Sequence, residues 1–400
     1  MPASSSSPAP SPRPPAATAI DSAAFDSLVR FLPADLRGLA ETHVAEACEL
    51  HVKDRHFDAV RKVEVVLHAC RRALLRNAPP LVEPPAASAV RPAAAAAPPG
   101  EVRCLPTALA IALVLRFLET SELYQVSCAR ARICDDLTRD IRNDAGWRLV
   151  SDHGDGDGTY YRFDDANNAH YFKVRGTVAV SVLYVCSILM ELDLYSQWFP
   201  FCRTSLSQGE VSRFFRSAYM LVGAPWPFAS RDVFMLGMGV DDLEDRDRIL
   251  IVAHSVPFAG DAPRKTTSST PALASSQLPP GVVAPARAKG SVVCDIIYTG
   301  FEIKMISPTE TRLSFLISVD PKVPNIPQSA LNWMSGKVMW QMLISMQTAA
   351  QKAMRPDSKY YQRRRQRPDV YELLRCRYNE MLRRKFPTAA YAAHALPEDY

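Results

Sequence analysis

The stretch SVDPKVPNIPQSALNWMSGKVMWQMLISMQTAAQKAM, residues 318–354, contains the longest helix that the sequence predicts. Its prolines end at Pro327, and none follows before Pro356. From Pro327 to Met354 apolar side chains fall on nearly every face of the predicted helix, so other parts of the chain must cover most of it. Five of the chain's twelve methionines lie here. The helix is therefore either a plain core helix or the wall of a cavity, where flexible methionines adapt to a guest.

Alternating apolar and polar residues ahead of this helix predict a series of strands. The predicted order is a strand at Phe172–Val180, a helix at Ser181–Tyr195, and then strands at 212–222, 231–240, 248–256, 292–306 and 311–319. The phrase SPTE at 307–310 predicts a hairpin between the last two strands. Residues 151–159, SDHGDGDGT, are expected to form a turn that enters the first strand. A curved antiparallel sheet that grips one long helix buries this pattern, which predicts the α+β class.

Proline-rich stretches divide the chain into segments, since 20 of its 32 prolines lie in 1–20, 79–106 and 257–285. Apolar residues at helical spacing predict two helices between Leu36 and Leu74, and two more between Ala108 and Ile141. The expected segments are a disordered leader at 1–20, a helical hairpin at 21–76, an Ala/Pro linker at 77–104, a helical segment at 105–150, a sheet-and-helix domain at 151–354 with a disordered insertion at 259–290, and a basic tail with a short amphipathic helix at 355–400.

The sheet-and-helix domain contains three informative phrases: ELDLYSQWFPFC at 191–202, GAPWPFASRDVF at 223–234, and SVDPKVPNIPQSALN at 318–332. In sequence and in order they resemble passages of the START family, the steroidogenic-acute-regulatory-related lipid transfer domains. The resemblance covers roughly Trp147 to Met354. It implies a helix-grip fold around an apolar cavity that carries one lipid. Gln197 departs from the family, since many members have an acidic residue there, and so does the length of the 259–290 segment.

The lipid-binding residues predicted from this resemblance and from the residue pattern belong to three elements. Arg213 and Arg216 lie at opposite parities of an otherwise apolar strand, so one of them is expected to point inward, where a buried guanidinium needs a partner such as a lipid headgroup. A position on the solvated face is the alternative for either arginine alone. The full set of cavity candidates is Trp198, Arg213, Arg216, Tyr219, Trp333, Met334, Val338, Met342 and Met346.

The basic character of the chain is concentrated near its C-terminus. Between Gln351 and Phe386 there are twelve Lys and Arg against four Asp and Glu, a net charge of +8 in a chain of net +5, so the remainder carries −3. A solvated tail, an anionic-membrane contact and a nucleic-acid arm are three interpretations. The membrane contact suits a lipid carrier better than nucleic acid does. Its candidates are Arg363, Arg364, Arg365 and Arg367.

Several other classes of function have no support in the sequence. The longest nearly apolar run, Val178–Met190, has thirteen residues, whereas a bilayer crossing needs about 20. The N-terminus lacks the apolar core of a secretory signal. Nine cysteines without a C-x-x-C pair favour a reducing, cytoplasmic location. The sequence has no recognised metal pattern and no nucleotide or hydrolase motif, so no cofactor, metal or catalytic residue is predicted.

The sequence therefore predicts a non-enzymatic protein that binds one lipid, a sterol or a phospholipid, and carries or senses it between membranes. An enzyme with a hydrophobic substrate is the first alternative, because the helix-grip architecture also serves cyclases and hydrolases. An acid or base pair inside the cavity, at Tyr219, His254 or Asp295, would favour it. The second alternative is a signalling adaptor whose N-terminal helices bind a protein partner while the cavity senses lipid.

Overall fold

The computed structural model describes residues 20–52, 55–76, 107–166, 168–224, 228–258, 278, 282–323 and 326–386. The chain forms two compact units, Met1–Cys128 and Ala129–Tyr400. The predicted linker at 77–104 lies outside the described residues, as do nearly all of the predicted leader at 1–20 and most of the predicted insertion.

The first unit is helical, which confirms the predicted all-α N-terminal region. Its helices are α1 (Ser22–Val29), α2 (Ala34–Val52), α3 (His56–Arg76), α4 (Thr107–Thr120) and the start of α5 (Glu122–Arg142). α3 buries one stripe at three- and four-residue spacing, which includes Val63 and Leu67. This stripe shares a core with Ile111 and Val114 of α4. None of the described helices is long and apolar enough to cross a membrane.

The second unit is built on one curved sheet of ten strands. In chain order the strands are β1 (Arg148–Gly154), β2 (Asp157–Asp164), β3 (Ala169–Val178), β4 (Cys202–Glu210), β5 (Phe215–Val222), β6 (Arg231–Asp242), β7 (Arg248–Ser255), β8 (Val292–Val293), β9 (Asp295–Ser307) and β10 (Glu310–Asp320). Nine of them follow the order β1-β2-β3-β10-β9-β7-β6-β5-β4, with antiparallel neighbours. β8 pairs in parallel with β6. β9 and β10 form the predicted hairpin.

The closing helix lies against this sheet, which confirms the predicted α+β helix-grip class. It consists of α8 (Gln328–Trp333), a π-helical turn at Met334–Val338, and α9 (Met339–Ala353). Gly176 in β3 allows the close approach of α9, because a Cβ atom at this position would lie 2.6 Å from Leu343 Cδ1. The π turn was not predicted, since periodicity does not distinguish one inserted residue in an apolar helix.

Two local predictions differ from the structure. Residues 151–159 form most of a β-hairpin, β1 and β2, instead of a single turn before one strand. Its tight turn contains Asp155 with φ 51° and Gly156 with φ 77°, the left-handed conformations that a two-residue hairpin loop needs. Glycine and aspartate disfavour strands locally, but β2 also pairs with β3, and this tertiary pairing overrides the local preference.

The second difference concerns the predicted helix at 181–195. α6 (Val182–Met190) ends five residues early, and a 3₁₀ turn at Leu192–Gln197 follows it. Glu191 between them has φ −92° and ψ 78°, which is not helical.

Strand β4 was not predicted, because it lies at the edge of the sheet and carries a largely polar sequence. An edge strand with one exposed face has no strong apolar alternation for a sequence pattern to detect.

The C-terminal basic segment folds onto the second unit as α10 (Lys359–Gln366) and α11 (Pro368–Lys385). The apolar stripe of α11 includes Val370, Tyr378 and Met381, all of which are buried. α11 packs against α6, and α10 packs against both α6 and α9. The predicted amphipathic helix therefore exists, and its apolar face lies against the chain's own core.

The last part of the predicted insertion, residues 282–290, is described and packs on the domain. Val282 is buried. The Ala288 N–H donates to Asp232 Oδ2 at 3.2 Å, and Ser291 Oγ donates to the same carboxylate. This segment is therefore part of the structured domain, because it supplies donors to a carboxylate that is itself fully buried.

Candidate functional site

A cavity of about 520 Å³ lies between the inner face of the sheet and the closing helix. This volume is within the range of ligand-binding pockets, roughly 300–1,000 Å³. Phe301 and Phe315 contribute from the hairpin β9–β10, and Met339 and Met342 contribute from α9. The remaining lining is almost entirely apolar, so the cavity favours a hydrophobic guest.

The parity of strand β5 decides which of its side chains line the cavity. Arg216, Ala218, Met220 and Val222 line it, two residues apart, as expected for one face of a strand. Tyr219 lies at the opposite parity and does not line the cavity. Its hydroxyl donates to Asp232 Oδ1, at a distance of 2.6 Å. Burial and this carboxylate raise the pKa of Tyr219 above its ordinary value.

Arg216 is the only cation deep in this lining that retains an unused donor among the described residues. Its side chain is about 7% exposed. Nη1 donates to the Met190 carbonyl at 3.0 Å, where α6 ends, and Nε lies 3.4 Å from Glu210 Oε1. Nη2 has no hydrogen-bond partner. A buried guanidinium nitrogen without a partner is costly, so an acceptor on a bound molecule would stabilise it.

The other polar groups of the lining use their hydrogen bonds within the protein. His170 Nδ1 lies 3.0 Å from the Tyr161 hydroxyl, and burial lowers the pKa of the His170 imidazole. Thr299 donates to the Leu316 carbonyl at 2.8 Å. Arg231 donates from Nε to the Pro321 carbonyl at 3.0 Å. No carboxylate lines the described part of the cavity.

Two lining side chains are also exposed to solvent and lie at the edge of the cavity. Phe201, with φ 60°, precedes β4 and is 49% exposed, and Met334 in the π turn is 39% exposed. The rings of Phe201 and Trp333 lie 5.5 Å apart between centroids. These aromatic and thioether side chains form an apolar rim at the edge of the cavity.

The structure brings five of the nine predicted cavity residues together in the lining: Arg216, Trp333, Met334, Val338 and Met342. It places the other four elsewhere. Arg213 precedes β5, and Tyr219 faces the opposite side of that strand. Met346 is buried in the core, one turn of α9 after the cavity residue Met342. Trp198 packs in the core and also lines a separate polar pocket.

Sequence reasoning missed the lining residues contributed by the strands far along the sheet, including His170, Ile251 and Phe301. Their alternation was visible in the sequence, but alternation alone does not tell which of the two faces is the inner one. Among the described residues, no group of three His, Cys, Asp or Glu could hold a metal ion.

The four predicted membrane-contact arginines have different environments. Arg363 pairs with Asp193 at 2.6 Å, and Arg367 pairs with Glu210 at 3.0 Å. Arg364 is buried, and its Nη1 donates to the Ala353 carbonyl at 3.0 Å, at the end of α9. Arg365 is exposed. Three of these four side chains therefore stabilise the fold of the C-terminal segment.

No protein-family model matches the chain, and no curated protein matches its sequence. Among solved structures the chain is similar to human STARD10, with 17% identity and a TM-score of 0.44 over 66% of this chain and 94% of that chain. It is similar to human StAR-related lipid transfer protein 5, with 15% identity and a TM-score of 0.45 over 57% of this chain and 97% of that chain. It is also similar to the Zhui aromatase/cyclase from Streptomyces, with 12% identity and a TM-score of 0.29 over 47% of this chain and 96% of that chain. These TM-scores lie below 0.5, and the helix-grip fold of this chain follows from its own strand order and closing helix.

Proposed function

We propose that this protein binds one lipid in the cavity between the sheet and the closing helix, and that it carries or senses this lipid between membranes. The observation that supports this proposal is an apolar cavity of about 520 Å³ with one deeply buried cation, Arg216, whose Nη2 has no partner among the described residues. The apolar lining surrounds the tail or ring system, and Arg216 donates a hydrogen bond to an oxygen of the polar group. Either a phospholipid or a sterol has both parts.

The physical basis of transfer is a near-balanced exchange between the bilayer and the cavity. A sixteen-carbon chain exposed to water costs on the order of 12 kcal/mol, at about 0.8 kcal/mol per CH₂ group. An apolar cavity removes most of this cost, as a bilayer does. The protein thus lowers the barrier to crossing water without holding the lipid irreversibly.

The composition of the lining supports binding over catalysis. General acid–base chemistry needs a proton donor or acceptor within hydrogen-bond reach of the reacting group. The candidates Tyr219, His254 and Asp295 are absent from the lining, and Asp295 pairs with Lys322 at 2.8 Å. The one imidazole in the lining, that of His170, is held by Tyr161. An enzyme of the aromatase/cyclase type, which one of the similar structures is by name, remains the second candidate.

Native mass spectrometry of the protein purified from its own cells tests this proposal. We expect one lipid per chain, and we expect Met342→Glu to abolish it. Met342 lines the cavity and is 2% exposed, so a carboxylate there either costs several kcal/mol or stays protonated beside the guest.

The matched control is Ile344→Glu, because Ile344 belongs to the same helix and is 45% exposed. We expect this variant to retain the lipid. Lipid-free protein from the natural source, or a folded Met342→Glu variant that holds as much lipid as Ile344→Glu, would contradict the proposal.

A contact with anionic membranes remains part of the proposed function, with its basis changed by the structure. Six of the twelve basic residues of 351–386 form ion pairs within the chain, as Arg377 does with Asp241. Four exposed ones have no ion pair among the described residues: Lys352, Arg355, Lys359 and Arg365. Each cation near an anionic leaflet contributes about 1 kcal/mol, and salt weakens this attraction.

We expect substitution of these four residues by Gln to reduce cosedimentation with phosphatidylserine vesicles at low salt, without loss of cavity lipid. Vesicles of phosphatidylcholine alone provide the comparison. At high salt, the wild type and the four-residue Gln variant are expected to cosediment with phosphatidylserine vesicles to the same extent. Equal binding of both proteins to anionic vesicles at low salt would exclude these cations as the contact.

The binding of a protein partner by the N-terminal helices stays a prediction. A chain that begins at residue 105 should lose such a partner while it keeps the lipid. Retention of the partner by this shortened chain would place the interaction elsewhere.

A further inference from the structure

A second pocket, of about 540 Å³, lies along another face of α9 and is polar. It is formed by the end of the 3₁₀ turn, the face of α9 that carries Gln341, Ser345, Thr348 and Lys352, and the segment from Arg355 to the start of α10. Its lining residues are Gln197, Trp198, Gln341, Ser345, Thr348, Ala349, Lys352, Arg355, Asp357, Ser358, Lys359 and Tyr360. None of these residues lines the lipid cavity, so the two sites are separate.

Two side chains that line this polar pocket are buried and carry hydrogen-bonding groups without a partner among the described residues. Trp198 is 6% exposed and Tyr360 is 5% exposed. The Trp198 Nε1–H and the Tyr360 hydroxyl have no hydrogen-bond partner among the described residues. An indole N–H can only donate, so its missing partner must be an acceptor. Buried polar groups without partners are rare in native structures, so a bound molecule that supplies acceptors would stabilise both groups.

The side chains that line the pocket carry an excess of positive charge, which favours an anion as this acceptor. Lys352, Arg355 and Lys359 line the pocket and are exposed, without an ion pair among the residues that the structure describes. These are three of the four unpaired cations of the C-terminal segment. Asp357 is the only carboxylate in the lining. Burial, together with the nearby Glu191 and Asp193, raises the pKa of Tyr360, so its hydroxyl stays protonated and can donate.

We propose that this polar pocket binds a phosphate group, with Trp198 and Tyr360 as neutral donors and Lys352, Arg355 and Lys359 as the cations that balance its charge. A phosphate monoester has three strong acceptor oxygens and a charge close to −2 at neutral pH, which matches several donors and a local excess of two positive charges. The volume of the pocket leaves space for the group that carries the phosphate. That phosphate comes either from a soluble phosphomonoester or from the headgroup of an anionic phospholipid.

The test uses the full chain and two single-hydroxyl variants. Inorganic phosphate and glycerol phosphate are titrated by calorimetry into the wild type, Tyr360→Phe and Tyr361→Phe. Hydrogen bonds to charged groups are stronger than neutral ones, so we expect Tyr360→Phe to weaken phosphate binding about tenfold or more. Tyr361 adjoins Tyr360 and does not line the pocket, so Tyr361→Phe should bind as the wild type does.

The melting temperature without phosphate separates a binding role from a structural one. Because the Tyr360 hydroxyl has no partner among the residues that the structure describes, Tyr360→Phe should melt at or above the wild-type temperature. Neither substitution changes the charge, so a loss of binding in Tyr360→Phe alone cannot come from general electrostatic attraction. Lys352→Gln should also weaken binding, whereas Lys337→Gln, an exposed lysine outside both pockets, should not.

Vesicles of phosphatidylcholine with and without phosphatidic acid distinguish the two sources of phosphate. Binding of the soluble phosphates that depends on Tyr360 supports a soluble phosphomonoester. Binding that depends on Tyr360 and occurs only with phosphatidic acid vesicles supports a phospholipid headgroup. The proposal is overturned if neither form of phosphate binds, or if Tyr360→Phe binds both as tightly as Tyr361→Phe does.

Discussion

A chain that ends at Met354 is expected to lose its folded second unit, because α11 contributes buried side chains to the core. Five residues of this helix are buried: Val370, Tyr371, Tyr378, Met381 and Leu382. Each large apolar side chain contributes about 1.5–3 kcal/mol when fully buried. The sum is on the order of 10 kcal/mol, an upper value because unfolded chains already bury some surface. A domain's total stability is about 5–15 kcal/mol.

Polar contacts of the same helix add to this loss. The Tyr371 hydroxyl donates to Glu191, and both side chains are buried. Glu191 is the non-helical residue that follows α6. Without α11, its carboxylate loses the Tyr371 hydroxyl as a donor. Burial already raises the pKa of Glu191, so its charged form depends on such partners. Removal of the donor from a buried carboxylate costs more than the net value of the hydrogen bond.

Urea denaturation followed by circular dichroism measures this effect. Val370→Asp gives the same result without truncation, since Val370 is fully buried, and we expect a loss of several kcal/mol. Cys376→Asp is the matched control on the exposed face of α11, with an expected change within about 1 kcal/mol. Unfolding midpoints for the truncated chain and Val370→Asp that equal that of the wild type would show that α11 is dispensable.

Arg216→Met is expected to weaken the binding of lipids with polar headgroups at least tenfold, while the protein stays folded. A hydrogen bond to a charged group contributes about 1.5–3 kcal/mol, and 1.4 kcal/mol corresponds to a factor of ten. Methionine fills a similar space with an unbranched apolar side chain. Replacement of a buried charge that is incompletely paired by an apolar group of similar volume is often neutral or stabilising.

Binding of fluorescent phosphatidylcholine and fluorescent cholesterol analogues measures this effect. The phosphatidylcholine analogue should lose more affinity than the cholesterol analogue, because its phosphate offers charged acceptors. Arg213→Met is the matched control, since Arg213 is the neighbouring arginine outside the lining. If both analogues bind Arg216→Met as tightly as Arg213→Met, the guanidinium only supports the end of α6.

The C-terminal segment shows a limit of charge counting. Its twelve basic residues and its apolar stripe were visible in the sequence and favoured a membrane contact. The structure pairs Arg363 with Asp193 and Arg367 with Glu210, and it buries Val370. Their partners lie more than 150 residues earlier in the chain. No local sequence pattern encodes a contact between residues so far apart in the chain. A basic amphipathic segment therefore has the same sequence pattern whether it contacts a membrane or its own domain.

The residue pattern was enough to predict the helix-grip architecture, since the all-round apolar helix at 327–354, the alternating strands before it and the SPTE hairpin favour a sheet that covers a helix. These features are local, and periodicity reports them directly. Only the tertiary structure decided that Arg216 and not Arg213 lines the cavity, and that Trp198 and Tyr360 meet at the polar pocket. The inner face of a strand depends on its register with distant strands, and a pocket depends on which elements pack together. Both are set by long-range contacts that maximise buried apolar area, which no short stretch of sequence specifies.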